Sequence, residues 1–517
     1  MRLIKILWVD DEVGVLKPHI LFLKDKGYET DTCTSGVDAL MMVQEKPYDI
    51  IFLDEHMPGL SGIETLRRVK ELKPLIPVVM ITKSEEEDIM DAAIGSQIAD
   101  YLIKPVKPQQ ILLSLKKILD ADNIVTKQTT TVFREEFSSI AGMISEASTL
   151  EQWFELYRKL VFWQSELIRS TDTGMREILR MQESDANRAF ARFVEKNYAQ
   201  WLSPSAIDKP LMSPSIMTKK ILPLIRKGSP LFCIIIDNMR LDQWQTIAND
   251  ISSVFRLASD ELYLSILPTA TQYARNAIFA GLMPSAINES TPEFWIRDFE
   301  DEGKNLNEDK LFARLLQRNG INCRWSYNKI SNEADGKAVN EKLPQLLSND
   351  MNLLVYNFVD LLSHARTEVE LIRDMTGNEA SWLTLTHSWF IHSPLLDLLR
   401  FVAAKGARIV ITTDHGSIRV NKPIKVVGDR LTSMNLRYKT GRNLDFNKRE
   451  VFEISNPSKA GLPMTNITSK YIFARENDFL VYPNNFNQVV SYYRDSLQHG
   501  GISLQEMILP LVYLEPL

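Results

Sequence analysis

Apolar residues in the first 122 positions fall in short unbroken runs separated by amphipathic stretches. IKILWV, DIIFLD, VVMIT and DYLIK read as buried parallel strands, while GVDALMMVQEK and GIETLRRVKEL carry helical spacing. That alternation predicts a doubly wound α/β domain over 1–122. From there to 203 helical periodicity dominates and aromatics recur, among them Phe137, Trp153, Phe154, Tyr157, Phe162 and Trp163. Thr149 to Gln152 reads as a capped helix start, and Ser170 to Gly174 as a turn before a long helix ending near Tyr198. We read 123–203 as a helical bundle. Proline-rich sequence from Pro204 to Pro230 marks a boundary, after which LFCIIID, NLLVYNFVD and ARIVITTD each end a buried run on an acid. In open α/β sheets, sites form beyond the carboxyl ends of parallel strands. The region 204–517 is therefore expected to be a second α/β domain with one shared crevice.

Composition narrows this only slightly. The 517 residues exceed one core, and 44% hydrophobic with 24% charged residues describes an ordinary globular protein. A net charge of -6 gives no general reason to bind nucleic acid. Cys33, Cys233 and Cys323 are isolated, which argues for reduced thiols in the cytoplasm and against a disulfide scaffold or a cysteine metal site. MRLIKILWVDDE lacks a signal-peptide core, and no apolar run approaches the roughly 18 residues of a membrane span. We expect a cytoplasmic chain with no membrane insertion.

The candidate chemistry lies at strand ends. Asp10 and Asp11 follow the first run, and Asp54, Thr82 and Lys104 close three later ones. Three carboxylates suit one hard magnesium ion, a carboxylate can attack a phosphoryl group in line, and a lysine can hold that group's charge. VDDE, FLDEHMPGLSG, ITKS and YLIKP resemble the receiver domain of two-component response regulators. The resemblance implies Asp54 as phosphoacceptor, Asp11 as direct Mg²⁺ ligand, Asp10 as a partner through water, and the His56 backbone carbonyl as a further ligand. It implies Thr82 and Tyr101 as switch residues, Lys104 as the phosphate counter-charge, and a cis Lys104–Pro105 bond. A sensor histidine kinase would be the partner.

Only seven histidines occur, and three stand in the second α/β region beside strand-end acids. Asp237 follows one run, Asp414 and His415 another, Asp360 and His364 stand one helical turn apart, and His499 precedes two glycines that would let a backbone approach a ligand closely. Thr271 stands shortly after Pro268 and before a helical stretch, and at a helix N-terminus backbone N–H groups favour an anion. PTATQ, AGLMP, TDHG and HGGISLQE resemble the alkaline phosphatase superfamily, and the arrangement is similar to its PglZ subfamily. The resemblance implies two zinc ions per chain, one held by Asp237, Thr271, Asp414 and His415, the other by Asp360, His364 and His499. Thr271 would attack phosphorus, and the second metal would stabilise the leaving oxygen and then activate water. Thr269 is the rival nucleophile; the PT-x-T resemblance favours Thr271.

Other residues stay open. Asp242 reads as an outer residue or a surface one, and Arg240 and Arg275 as phosphate contacts or salt-bridge partners. His387 and His392 read as core or surface histidines. The basic run Lys422, Lys425, Arg430, Arg437, Lys439, Arg442, Lys448 and Arg449 reads either as a solvated insertion or as a cap, about 421–450, over a polyanionic substrate. Arg275, Lys439 and Arg442 are the candidate substrate contacts. The whole order resembles the PorX-type response regulators associated with type IX protein secretion. It implies a zinc-dependent phosphodiesterase acting on nucleotide or oligonucleotide diesters, gated by Asp54 phosphorylation. The expected active form is a homodimer through the fifth receiver strand and its flanking helices. The alternative is a non-catalytic module that binds a sigma factor or a secretion component.

Overall fold

The computed structural model describes residues 3–83, 98–119, 121–168, 172–203, 205, 209–296, 305–428, 432–464, 466 and 468–517. The chain forms two compact units, Met1–Thr129 and Thr130–Leu517. Parts of the expectations above fall outside the described residues: the helix before the fifth receiver strand, Ser170 in the expected turn, Pro204 and Arg430.

In the first unit, strands Ile4–Val9, Tyr28–Cys33, Ile50–Asp54, Val78–Thr82 and Asp100–Ile103 form one sheet in the order second, first, third, fourth, fifth. All four pairings are parallel. The third and fourth strands are buried throughout, as their unbroken apolar sequence requires. The second strand, YETDTC, has no such run because it sits at an edge, half solvated. Helix Gly62–Leu72 starts on a reciprocal cap between Ser61 and Glu64. Placing the first strand beside the third brings Asp10 and Asp54 together where the strand order reverses.

The second unit begins within helix Ala121–Glu146, which helices Leu150–Ile168 and Thr173–Leu202 follow. Thr149 Oγ1 accepts from Gln152 N at 3.3 Å, and Thr149 N donates to Gln152 Oε1 at 3.1 Å, the cap legible in sequence. Trp153, Leu156, Trp163 and Phe190 are buried in a core continuous with that of the following sheet.

That sheet has six strands in the order Phe255–Leu264, Ile508–Pro516, Arg408–Thr412, Leu231–Ile236, Met351–Tyr356, Trp325–Ile330. The last four are parallel, and the Ile508–Pro516 strand is antiparallel to both its neighbours. The three runs ending in acids are adjacent, so their carboxyl ends converge. Insertions beyond those ends form small sheets, including Tyr438–Gly441, Lys470–Ala474 and Val451–Ile454. Among the described residues no helix is long and apolar enough to cross a membrane.

Candidate metal centre

Strand Leu231–Ile236 delivers Asp237, and strand Arg408–Thr412 delivers Asp414 and His415. All three are buried, with ligand atoms mutually within 4.8 Å. Helix Phe358–Glu368 presents Asp360 and His364 one turn apart, and His499 completes a second trio within the same distance. The His415 and His499 rings stack at 4.2 Å between centroids, so the trios adjoin. His415 Nε2 lies 3.6 Å from Asp237 Oδ1 and 3.8 Å from Asp414 Oδ2. In the second trio, His364 Nε2 and His499 Nε2 lie 3.5 and 3.7 Å from the two Asp360 oxygens. Ligands about 2.0–2.2 Å from a tetrahedral zinc are separated by about 3.3–3.6 Å, close to this spacing.

The residues fit such an ion chemically. Asp237 Oδ1 and Asp414 Oδ2 are buried carboxylate oxygens without a hydrogen-bond partner, costly unless a cation faces them. His415 Nδ1 is 3.2 Å from the Gly416 carbonyl and His499 Nδ1 is 3.3 Å from that of Thr269. Donation from Nδ1 leaves each Nε2 lone pair facing its cluster, as metal-binding histidines require. Burial raises the Asp237 and Asp414 carboxyls above their ordinary range, against the pull of Arg275. Burial, reinforced by neighbouring His415, lowers His499 to about 3.

Thr271 is the first residue of helix Thr271–Ala280, and its Oγ1 lies 2.9 Å from His415 Nε2. Thr269 is differently employed. Its hydroxyl donates to the Gly501 carbonyl at 2.9 Å and accepts from Gly500 N at 3.0 Å, fully buried. Gly500 and Gly501 lie against protein: a Cβ on Gly500 would sit 2.7 Å from Tyr438, and one on Gly501 2.6 Å from the Ala474 carbonyl. The glycines expected to admit a ligand therefore admit the chain itself.

The candidate substrate contacts are placed in ways their sequence did not reveal. Arg275 is buried one turn beyond Thr271, its Nη1 2.7 Å from Asp237 Oδ2 and its Nε 3.3 Å from Glu308. It is spent on carboxylates. Lys439 is also buried, because every residue of strand Tyr438–Gly441 is. Its Nζ lies 3.2 Å from the Ser433 carbonyl and 4.2 Å from the Tyr482 ring centre, and burial lowers its amine to about 7. Arg442 is exposed. Arg437, from the same basic run, forms a fully buried pair with Glu506 at 2.6 Å. His387 pairs with Asp250 at 2.9 Å, and His392 is exposed.

Arg240 proves a salt-bridge residue, 2.5 Å from Asp242 and 2.6 Å from Glu379. Burial pushes the Glu379 carboxyl up, but Arg240 and Arg419 outweigh it and hold the group down at about 2. Its folded pKa is depressed, so this stability is present above the ordinary value of 4.5 and is lost as pH falls toward 2. Glu379→Gln should flatten that acid limb and lower the neutral-pH Tm; chemical denaturation from pH 2 to 7 measures both. Arg240, Asp242 and Glu379 line a cavity of about 1300 Å³ between the bundle helices and the segments that carry Arg366, Arg419 and Asp495, which none of the seven candidate ligands lines.

Sequence reasoning missed Asn238, which links the trios. It has φ 64° and is fully buried; its N–H donates to Asp414 Oδ1 at 3.4 Å and its amide to Asp360 Oδ1 at 3.2 Å. An asparagine directly after a strand-end aspartate, able to adopt the left-handed region, was the available signal.

In the first unit, Asp10 and Asp54 are buried, Asp11 is exposed, and the three could share an ion. Lys104 Nζ lies 2.8 Å from Asp10 Oδ2 and 3.0 Å from Asp54 Oδ2, leaving the buried Asp54 Oδ1 without a hydrogen-bond partner. Thr82 is buried at its strand's end, Tyr101 is half-buried, His56 is exposed, and Lys104–Pro105 is cis.

Family models match in order: a response regulator receiver domain at 6–116, a PorX response regulator linker domain at 123–202, and a BREX system PglZ alkaline phosphatase-like domain at 216–514. The transcriptional regulatory protein ResD of Bacillus subtilis is 35% identical over 22% of this chain and 48% of its own. ZraR of Escherichia coli O157:H7 is 30% identical over 29% of this chain and 33% of its own. The chain thus spans about half or less of these relatives. The chemotaxis protein CheY4 of Vibrio cholerae is 28% identical, with 23% of this chain covering 100% of that one at a TM-score of 0.22. With the PglZ match extending over more than half of its 517 residues, the chain belongs to the PglZ alkaline phosphatase-like family, joined through a PorX-type linker to a response-regulator receiver domain.

Proposed function

We propose that this chain is a response regulator whose output is a zinc-dependent phosphodiesterase with Thr271 as nucleophile. The observation that carries the reading is the convergence of Asp237, Asp414 and His415 with Thr271, beside Asp360, His364 and His499, with two buried carboxylate oxygens left unpartnered. A zinc pair held there would supply Lewis-acid charge at the attacking and departing oxygens. Thr271 Oγ would form a bond to phosphorus as one ester P–O bond breaks, the threonine proton passing overall to the departing alcohol; water would then cleave the Thr271–phosphorus ester, restoring the hydroxyl and releasing the remaining phosphate monoester. The helix N-terminus at Thr271 offers N–H groups to the phosphoryl oxygens. Nucleotide or oligonucleotide diesters are the proposed substrates, with Arg442 as an exposed candidate contact.

Magnesium at Asp10, Asp11 and Asp54 would prepare Asp54 for phosphoryl transfer from a sensor histidine kinase. Thr82, Tyr101 and Lys104 would register the product. The proposed setting is the cytoplasm, with pairing of receivers in the active form and control of type IX secretion as the role. Beryllofluoride treatment with magnesium should raise the dimer fraction of the wild type and leave Asp54→Ala monomeric. Light scattering reads this, and an Asp54→Ala protein that dimerised equally would remove the gating claim. The enzymatic claim is tested by hydrolysis of a chromogenic phosphodiester and its monoester analogue by the zinc-loaded chain. Absence of turnover on both, with and without beryllofluoride, would favour a binding module for a sigma factor or secretion component.

A further inference from the structure

The bundle helix Thr173–Leu202 reaches the catalytic loops with two buried polar side chains. The Tyr198 hydroxyl, on a residue 1% exposed, accepts from Leu267 N at 2.8 Å. Asn187, 4% exposed, accepts from Leu504 N at 2.8 Å and donates to Gln505 Oε1 at 3.1 Å. Leu267 lies on the loop that ends at Thr271, and Leu504 on the segment that follows His499. Thr269 ties the two loops together through Gly500 and Gly501. Asn187, Ala191, Val194 and Tyr198 lie on one buried stripe of the helix. Packing alone would be met by leucine and phenylalanine at the outer two positions. A buried amide or hydroxyl is costly unless its partner needs it, and here each accepts from a backbone N–H, that of Leu504 at the start of helix Leu504–Met507 and that of Leu267.

We propose that Asn187 and Tyr198 are positioning residues, through which the bundle helix sets the loops carrying Thr271 and His499 in register. Neither touches the reacting atoms. Each holds a backbone, and the Thr269 latch makes the two settings interdependent. The linker domain is thereby part of the site's construction, and a shift of this helix moves nucleophile and ligand together. This rests on the phosphodiesterase reading for its effect on rate, though not for its effect on the loops.

The test compares full-length, zinc-loaded wild type, Tyr198→Phe, Asn187→Leu and Gln182→Leu. Gln182 is a control on the same helix, 4% exposed, whose amide donates to the Phe137 carbonyl within the bundle at 2.9 Å. Tyr198→Phe and Asn187→Leu should each lower kcat on a chromogenic diester by about tenfold to a hundredfold, with KM and zinc content unchanged. Gln182→Leu should leave kcat at the wild-type level whatever its Tm. Hydrogen exchange on the same proteins should quicken over 265–271 in Tyr198→Phe and over 499–507 in Asn187→Leu, and over neither in the control. Unchanged exchange at those loops in both variants, or an equal kcat loss in the control, would overturn the positioning role. A wild type without turnover would overturn the phosphodiesterase reading alone, and exchange would still decide the positioning claim.

Discussion

Thr271→Val should reduce diester turnover by about a thousandfold or more, since the variant keeps the volume and loses the oxygen proposed to attack phosphorus. The hydroxyl is singled out by position. It opens its helix, lies 2.9 Å from His415 Nε2, and stands beside two unpartnered carboxylate oxygens. Thr269→Val is the matched comparison. That hydroxyl already donates to Gly501 and accepts from Gly500, so removing it orphans a buried N–H and should cost about 1–3 kcal/mol of stability. Steady-state kinetics and thermal unfolding on both variants separate the roles. Thr271→Val loses rate with little loss of Tm; Thr269→Val loses Tm and retains measurable turnover. The reverse result would make Thr269 the nucleophile.

Chelation should have the second large effect, abolishing turnover and lowering Tm together. Without a cation, Asp237 Oδ1 and Asp414 Oδ2 are buried carboxylate oxygens beside one another's groups, with Arg275 as the nearest counter-charge. An ion that binds only the folded chain stabilises it by about 4 kcal/mol at a thousand times its Kd. Zinc should restore both properties. Magnesium should not, because both sets mix imidazole nitrogen with carboxylate oxygen and magnesium favours near-octahedral oxygen. Calorimetry and turnover after dialysis against chelator, then after each metal, read the outcome. Full turnover after exhaustive chelation would contradict the two-metal reading.

The parts legible in the sequence were those a local pattern encodes. Buried runs ending in Asp54, Asp237 and Asp414 announced parallel strands with acids at their carboxyl ends, and within the second unit the sheet order sets the strands before Asp237 and Asp414 side by side. Asp360 and His364 were readable as a pair because one helical turn separates them. What was not legible depends on distant partners. Whether Arg275 meets substrate or Asp237 is decided by how helix Thr271–Ala280 packs beside strand Leu231–Ile236, and nothing near Arg275 records it. Lys439 read as a substrate contact in a basic stretch that was either a cap or a solvated insertion, yet its short strand is enclosed. The antiparallel strand Phe255–Leu264 is half exposed and its sequence is too polar to stand out. Nothing local marks Tyr198 or Asn187, since the backbone groups they accept from lie 69 and 317 positions away.

The most direct test measures zinc content and diester hydrolysis on one preparation of the full-length chain, beside Asp414→Asn and His499→Ala. The account predicts about two zinc ions per wild-type chain, fewer in each variant, and turnover only where both are present. A wild-type chain that holds two zinc ions and hydrolyses neither diester nor monoester, with or without beryllofluoride, would contradict it.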